Sequence, residues 1–188
     1  MTLNIEQNRS AKKYSRKELV LRVFWGIGKF FFKYSPRICF SWRVFLLRLF
    51  GAKIGHSVHI YPSAIIYMPW NLEVGNYSAI GEDALIYNLG KVTLGNNVTV
   101  SHRAHLCAGT HDYADPTLPL IKPPIVLQDN VWICAEAFVG PNVVIAEGAV
   151  IGAAAVISKN VDTWSVMAGN PAVFIKKRVL KGSEQDEA

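Results

Sequence analysis

"LQDNVWICAEAFVGPNVVIAEGAVIGAAAVIS", residues 127–158, carries an aliphatic side chain at every sixth position. Leu127, Ile133, Val139, Ile145, Ile151 and Ile157 mark the beat. A period of six matches neither the 3.6 of a helix nor the simple alternation of a long strand. It matches a short strand followed by a turn, repeated. The residue after the beat is mostly small (Gly140, Ala146, Gly152, Ser158), and the residue four places on is small or β-branched (Val131, Ala137, Val143, Ala149, Ala155, Val161). Together these define a hexapeptide β-solenoid.

Upstream the same beat continues. Ile54, Ile60 and Ile66 are followed, after a two-residue slip, by Val74, Ile80 and Ile86. A second slip leads to Leu94, Val100 and Leu106. Each interruption falls after a third hexad. With three hexads to a coil, every insertion leaves one edge of a three-sided prism. The expected fold is therefore an all-β solenoid, a parallel β-helix of about five coils, with an N-terminal helical segment and a protruding loop.

The longest interruption is "LCAGTHDYADPTLPLIKPP", residues 106–124. Its prolines stiffen the segment and lack N–H donors, so it reads as an external loop, residues 107–124, that need not join a sheet. It also concentrates chemistry, with His111 and Asp112 side by side.

The prism domain spans residues 52–178. Before it, residues 1–14 read as a flexible tail and residues 15–51 as basic amphipathic helices. Ser15 and Glu18 form an S-x-x-E capping box. Leu19, Val20, Val23, Phe24, Ile27, Phe30 and Phe31 follow at helical spacing. Ser35-Pro36 reads as the start of a second helix, and Gly51 as its stop. The apolar face of these helices is expected to pack on the prism; the competing reading is a membrane-surface anchor. Residues 179–188 read as a C-terminal tail.

The net charge of +6 is unevenly placed. Residues 1–53 hold twelve Lys/Arg against Glu6 and Glu18, and residues 54–188 hold eight against twelve acidic residues. A basic segment of +10 thus leads a body of −4. Cys39, Cys107 and Cys134 form no CxxC pair and imply no disulfide framework. The polar first 18 residues resemble no signal peptide, and "VFWGIGKFFF" is too short to span a bilayer. The chain reads as cytoplasmic, with a peripheral place at the inner membrane face left open.

The repeats, with "VMAGNPAVFIKKR" (residues 166–178), resemble the hexapeptide-repeat acyltransferases of the left-handed β-helix class. "FGAKIG", "MPWNLEVG" and "AGTHDY" resemble the colanic-acid-biosynthesis type, akin to galactoside, maltose and nodulation O-acetyltransferases. The resemblance covers roughly residues 40–178. It implies a left-handed coil and a homotrimer with active sites at the subunit interfaces. It also implies acetyl-CoA as acyl donor, no required metal, and a sugar or lipid-linked sugar acceptor from surface-polysaccharide synthesis.

Residue by residue, the resemblance makes His111 the general base. An imidazole titrates near neutral pH and suits removal of a hydroxyl proton. Asn88 would bond the acceptor sugar, with a plain turn residue as the alternative. Asp112, beside His111, is a weaker candidate for substrate binding. The backbone N–H of Ala135 would face the thioester, while Ala153, Ser158, Lys159, Pro171 and Lys176 would line the cofactor. Cys134 stands where the family has Gly, and reads as a small buried corner residue rather than a nucleophile.

Two other readings compete. Gamma-type carbonic anhydrases share the prism and bind metal through three histidines, for which His102, His105 and His111 are candidates. Alternatively the prism is a non-catalytic scaffold whose basic N-terminal part binds a membrane. Nucleic acid is disfavoured, because the aromatic residues lie on apolar helical faces rather than along a basic groove.

Overall fold

The structure, a computed structural model, describes residues 2–181. Short parallel strands stack on three faces. Lys53–Ile54, Leu72–Val74, Val92–Leu94, Ile125–Leu127 and Val144–Ile145 form the first. His59–Ile60, Ala79–Ile80, Thr99–Val100, Trp132–Ile133, Val150–Ile151 and Ser165–Gly169 run along the second. Ile65–Ile66, Leu85–Tyr87, His105–Cys107, Phe138–Val139 and Val156–Ile157 form the third. Ile54, Val74, Leu94, Leu127 and Ile145 stand in register, one per coil. Every beat residue from Ile54 to Ile157 is buried. Each such side chain contributes about 1.5–3 kcal/mol, so the ladders hold the prism together.

The stack bears out the expected count of about five coils. Five are complete, and a partial sixth begins where Val161 bridges Ile145 and Ser165–Gly169 joins the second face. That last strand turns back and pairs antiparallel with Ala172–Lys177, closing the end of the second face.

The corners explain the rest of the repeat. The third residue after the beat takes a left-handed backbone at Ser57, Tyr77, Asp83, Asn97, Arg103, Asn130, Glu136, Asn142 and Ala154. Such a conformation is costly for most residues. Here several of these residues donate their N–H to the corner carbonyl of the preceding coil: Asn97 to Asn76, Glu136 to His102, and Ala154 to Ala135. On the edge after the first face, side chains also stack. Asn76 accepts from the N–H of His56, Asn96 from that of Asn76, and Asp129 from that of Asn96.

Three helices precede the prism: α1 (Ile5–Ser10), α2 (Arg16–Lys33) and α3 (Phe40–Leu49). The capping box of Ser15 and Glu18 is formed at the start of α2. Gly51, at φ +90°, ends α3, with Gly51 N–H donating to Arg48 and Ala52 N–H to Leu47. This is a Schellman stop.

Several expectations need correction. Residues 1–14 are not merely a tail: α1 lies against the external loop, with Asn4 N–H donating to the Pro116 carbonyl. Ser35 does not cap α3, which starts at Phe40; its hydroxyl donates to the Phe32 carbonyl and accepts from Arg43. Arg43 is fully buried and also donates to the carbonyls of Ile60, Pro36 and Arg37, which ties the α2–α3 turn to the prism.

The apolar stripe of α2 faces outward instead of packing on the prism. The side that packs holds Trp25, Gly28 and Phe32. Trp25 is 2% exposed and donates its indole N–H to the Ile66 carbonyl. A Cβ on Gly28 would sit 2.9 Å from both Phe50 and Trp25, so glycine permits that contact. Residues 182–188 of the expected C-terminal tail lie outside the described residues.

Candidate active site

The external loop leaves the edge after the third face, at Cys107, and returns at Ile125. It pairs with itself: Thr110 stands opposite Ile121, and His111 opposite Leu120, in a two-stranded antiparallel ribbon. At its tip Asp115 accepts from the N–H and hydroxyl of Thr117. The bonds from Thr117 hold the Asp115 carboxyl below its ordinary value. The turn delivers the Leu118 carbonyl to His111, 2.6 Å from Nδ1. A carbonyl only accepts, so Nδ1 carries the proton and Nε2 of the neutral ring is left with a free lone pair. His111 is exposed, and among the described residues its Nε2 makes no hydrogen bond.

A second donor holds the same carbonyl. Asn8 of α1 donates its amide to the carbonyls of both Thr117 (2.7 Å) and Leu118 (2.5 Å), and Lys13 bonds the Asn8 oxygen. A crevice of about 210 Å³ separates α1 from the loop, lined by Asn8, Lys13, Thr117 and Leu120 among others. Sequence reasoning missed Asn8 and the Leu118 carbonyl. No motif marks a backbone acceptor, and the contact joins residues about 110 positions apart.

Asp112 does not approach the ring of His111. One carboxylate oxygen accepts from Ala114 N–H at 3.0 Å, an Asx turn, and the residue is exposed. Asn88 is a correction. It is 0% exposed, so an acceptor sugar does not reach it. Its oxygen accepts from the N–H groups of Tyr67 and Met68, and its nitrogen donates to the Met68 carbonyl at 2.6 Å. It braces the two-residue insertion after Ile66.

The remaining candidates separate onto two edges. Ala135 and Ala153 stack on the edge between the second and third faces, joined by the Ala154–Ala135 bond. Among the described residues the N–H groups of Ala135 and Ala153 have no acceptor. Among the described residues the side chains on this edge bridge coils at Ser63, which accepts from Asp83 N–H, and at the Arg103–Glu136 ion pair, and they form no continuous ladder like Asn76–Asn96–Asp129. Ser158 and Lys159 sit on the edge after the third face, which also carries the loop of His111. Pro171 lies in the turn of the C-terminal hairpin, and Lys176 pairs opposite Val166 on its return strand. Within a single chain His111 and the Ala135 amide therefore spring from different edges of the prism.

Cys134 is half-buried at that corner, and burial pushes its thiol above the ordinary value. It stays protonated, as a packing residue does. The three histidines have separate surroundings. His102 lines a cleft with Arg37, Tyr61, Glu82 and Ser101. His105 stacks edge-to-face on Phe138 at 5.1 Å, and burial lowers its pKa. Among the described residues no group of three His, Cys, Asp or Glu side chains converges within the chain.

No family model matches the chain. An Escherichia coli K12 protein named as the colanic acid biosynthesis acetyltransferase WcaF is 40% identical over 159 residues, 85% of this chain and 87% of its own. The chain belongs to the WcaF-type hexapeptide-repeat acetyltransferases. It is accordingly an acyltransferase, and the left-handed β-helix is that of its kin. A galactoside acetyltransferase solved with coenzyme A superposes with a TM-score of 0.81 at 21% identity, covering 94% of this chain and 92% of its own. A Vibrio cholerae hexapeptide-repeat acetyltransferase, solved with acetyl coenzyme A, gives 0.80 at 22% identity over 89% and 92%. At such identities these two establish the shared fold.

Proposed function

We propose that this WcaF-type acetyltransferase moves an acetyl group from acetyl-CoA to a hydroxyl of a sugar in surface-polysaccharide synthesis. His111 Nε2 takes the proton of the sugar hydroxyl as its oxygen attacks the thioester carbonyl carbon. The tetrahedral oxyanion collapses, the C–S bond breaks, and the imidazolium returns the proton to the leaving thiolate. The products are an acetyl ester and coenzyme A. The N–H of Ala135, without an acceptor among the described residues, meets the thioester. Ala153, Ser158 and Lys159 flank the pantetheine, and Pro171 and Lys176 the nucleotide end. Asp112 offers its open carboxylate oxygen to the acceptor.

The observation that carries this reading is the Leu118 carbonyl on His111 Nδ1, which leaves one nitrogen free to act as base. The two-edge placement supports a homotrimer. Groups on separate edges of a prism can face one ligand across a cleft between two copies. In this reading the enzyme is cytoplasmic and peripheral at the inner membrane face, reached through residues 15–50.

The test is His111→Ala, assayed for acetyl transfer from acetyl-CoA to a soluble sugar. The expected result is a kcat lower by about 10²–10⁴-fold with an unchanged melting temperature. An unchanged kcat overturns the assignment of the base.

A further inference from the structure

The outward side of α2 is unusual for a surface helix. Leu19, Val20, Val23, Phe24, Ile27, Phe30 and Phe31 are all exposed, Val23 by 69%. At 3.6 residues per turn these positions span an arc of roughly 140°, opposite the packed side of Trp25 and Phe32. The patch does not end with the helix. Trp42 of α3 donates its indole N–H to the Phe31 carbonyl and lies tilted against Phe45 with ring centroids 5.9 Å apart, and Phe45 and Leu49 are exposed. Tyr34 and Ile38, between the helices, are exposed as well. Contiguous apolar surface on this scale marks a contact with something else.

The surrounding charge identifies the contact. Glu18 is the sole acidic residue in 16–50, and it is spent on the Ser15 N–H and on Lys122. Arg22 and Lys29 turn inward over the rings of Tyr14 and Tyr67. Arg16, Lys17 and Lys33 border the apolar arc and have no ion-pair partner among the described residues. A twofold contact of this face with its own copy would set those cations against themselves. Among the described residues no helix is long and apolar enough to cross a membrane. An apolar arc rich in aromatic side chains, rimmed by cations and free of carboxylates, fits the boundary of an anionic bilayer, where such a helix lies in the plane.

We infer that the outer face of α2, continued by Trp42, Phe45 and Leu49, seats the enzyme on an anionic lipid surface. This deepens the peripheral part of the proposed function and stands independently of the transfer chemistry. Ile27, Phe30 and Phe31 enter the acyl boundary, and Arg16, Lys17 and Lys33 meet the headgroups.

The test is sedimentation of the full chain with vesicles of phosphatidylcholine, with and without phosphatidylglycerol. The wild type is expected to pellet with the anionic vesicles and to be released by salt. The double substitution Ile27→Asp and Phe31→Asp is expected to lower the bound fraction about tenfold or more. Its melting temperature, its oligomeric state by light scattering and its acetyl transfer to a soluble sugar should match the wild type. Equal partition to both vesicle types, or none to either, overturns the inference. A change of oligomeric state in lipid-free buffer also overturns it, because the face is then a contact between copies. Loss of transfer in His111→Ala leaves the lipid result untouched, so the two readings fail separately.

Discussion

At position 135 a single N–H can be removed while the turn is kept. Pro62 and Pro141 occupy the same place in their hexads, two residues after Ile60 and Val139, so the corner accepts proline. Ala135→Pro is therefore expected to melt like the wild type. If its N–H meets the reacting thioester, kcat/KM should fall by about 10²–10³-fold, the size of a lost backbone donor. Full activity in this variant would remove Ala135 from the site. Asn88→Ala should behave in the opposite way. It strands the buried Met68 N–H, since Tyr67 N–H keeps the Ile86 carbonyl and the Met68 carbonyl keeps Asn71 N–H, at a cost of about 1–3 kcal/mol read by urea denaturation. Activity per folded molecule should persist. The two residues also show where sequence reading stops. The repeat locates Ala135 by counting from Ile133, because a backbone role depends on position alone. An asparagine in an insertion suits a ligand or its own backbone equally well, and only burial decides between them.

Among the elements, α2 was legible as a helix and illegible in its orientation. Its start is local: Ser15 and Glu18 cap the same turn. Its facing is not, because aromatic residues lie on both sides. The packed side is decided by what the prism offers, a carbonyl at Ile66 for Trp25 and space at Gly28 for the ring of Phe50. The link from α1 to the loop is hidden for the same reason, since it joins Asn8 to carbonyls with no sequence signature. It nevertheless has a consequence for catalysis. Asn8→Ala frees the Leu118 carbonyl from one of its two donors and loosens the ribbon that aims His111. A kcat several-fold lower, with KM for acetyl-CoA and the melting temperature both held, is the expected outcome. A raised KM with normal kcat would place α1 in donor binding instead.

At the scale of the whole molecule, the hexapeptide beat specifies the prism almost completely, because one ladder per face is an internal matter of burial. It carries no information on how prisms meet, since that depends on outward residues outside the beat. The two-edge layout makes this testable. His111 and the Ala135 amide lie on different edges, so a cleft that uses both draws them from neighbouring copies. His111→Ala and Ala135→Pro chains, each nearly inactive alone, should therefore complement when co-expressed with different tags and purified as mixed oligomers. In a random equal mixture each cleft has an even chance of an intact base edge and an even chance of an intact amide edge. About a quarter of the clefts are then whole, and kcat per chain should recover to about a quarter of wild type. If one chain supplied both groups, every site would contain one lesion and mixing would recover nothing. The recovered fraction thus reads out directly whether the base and the amide of one active site belong to the same subunit.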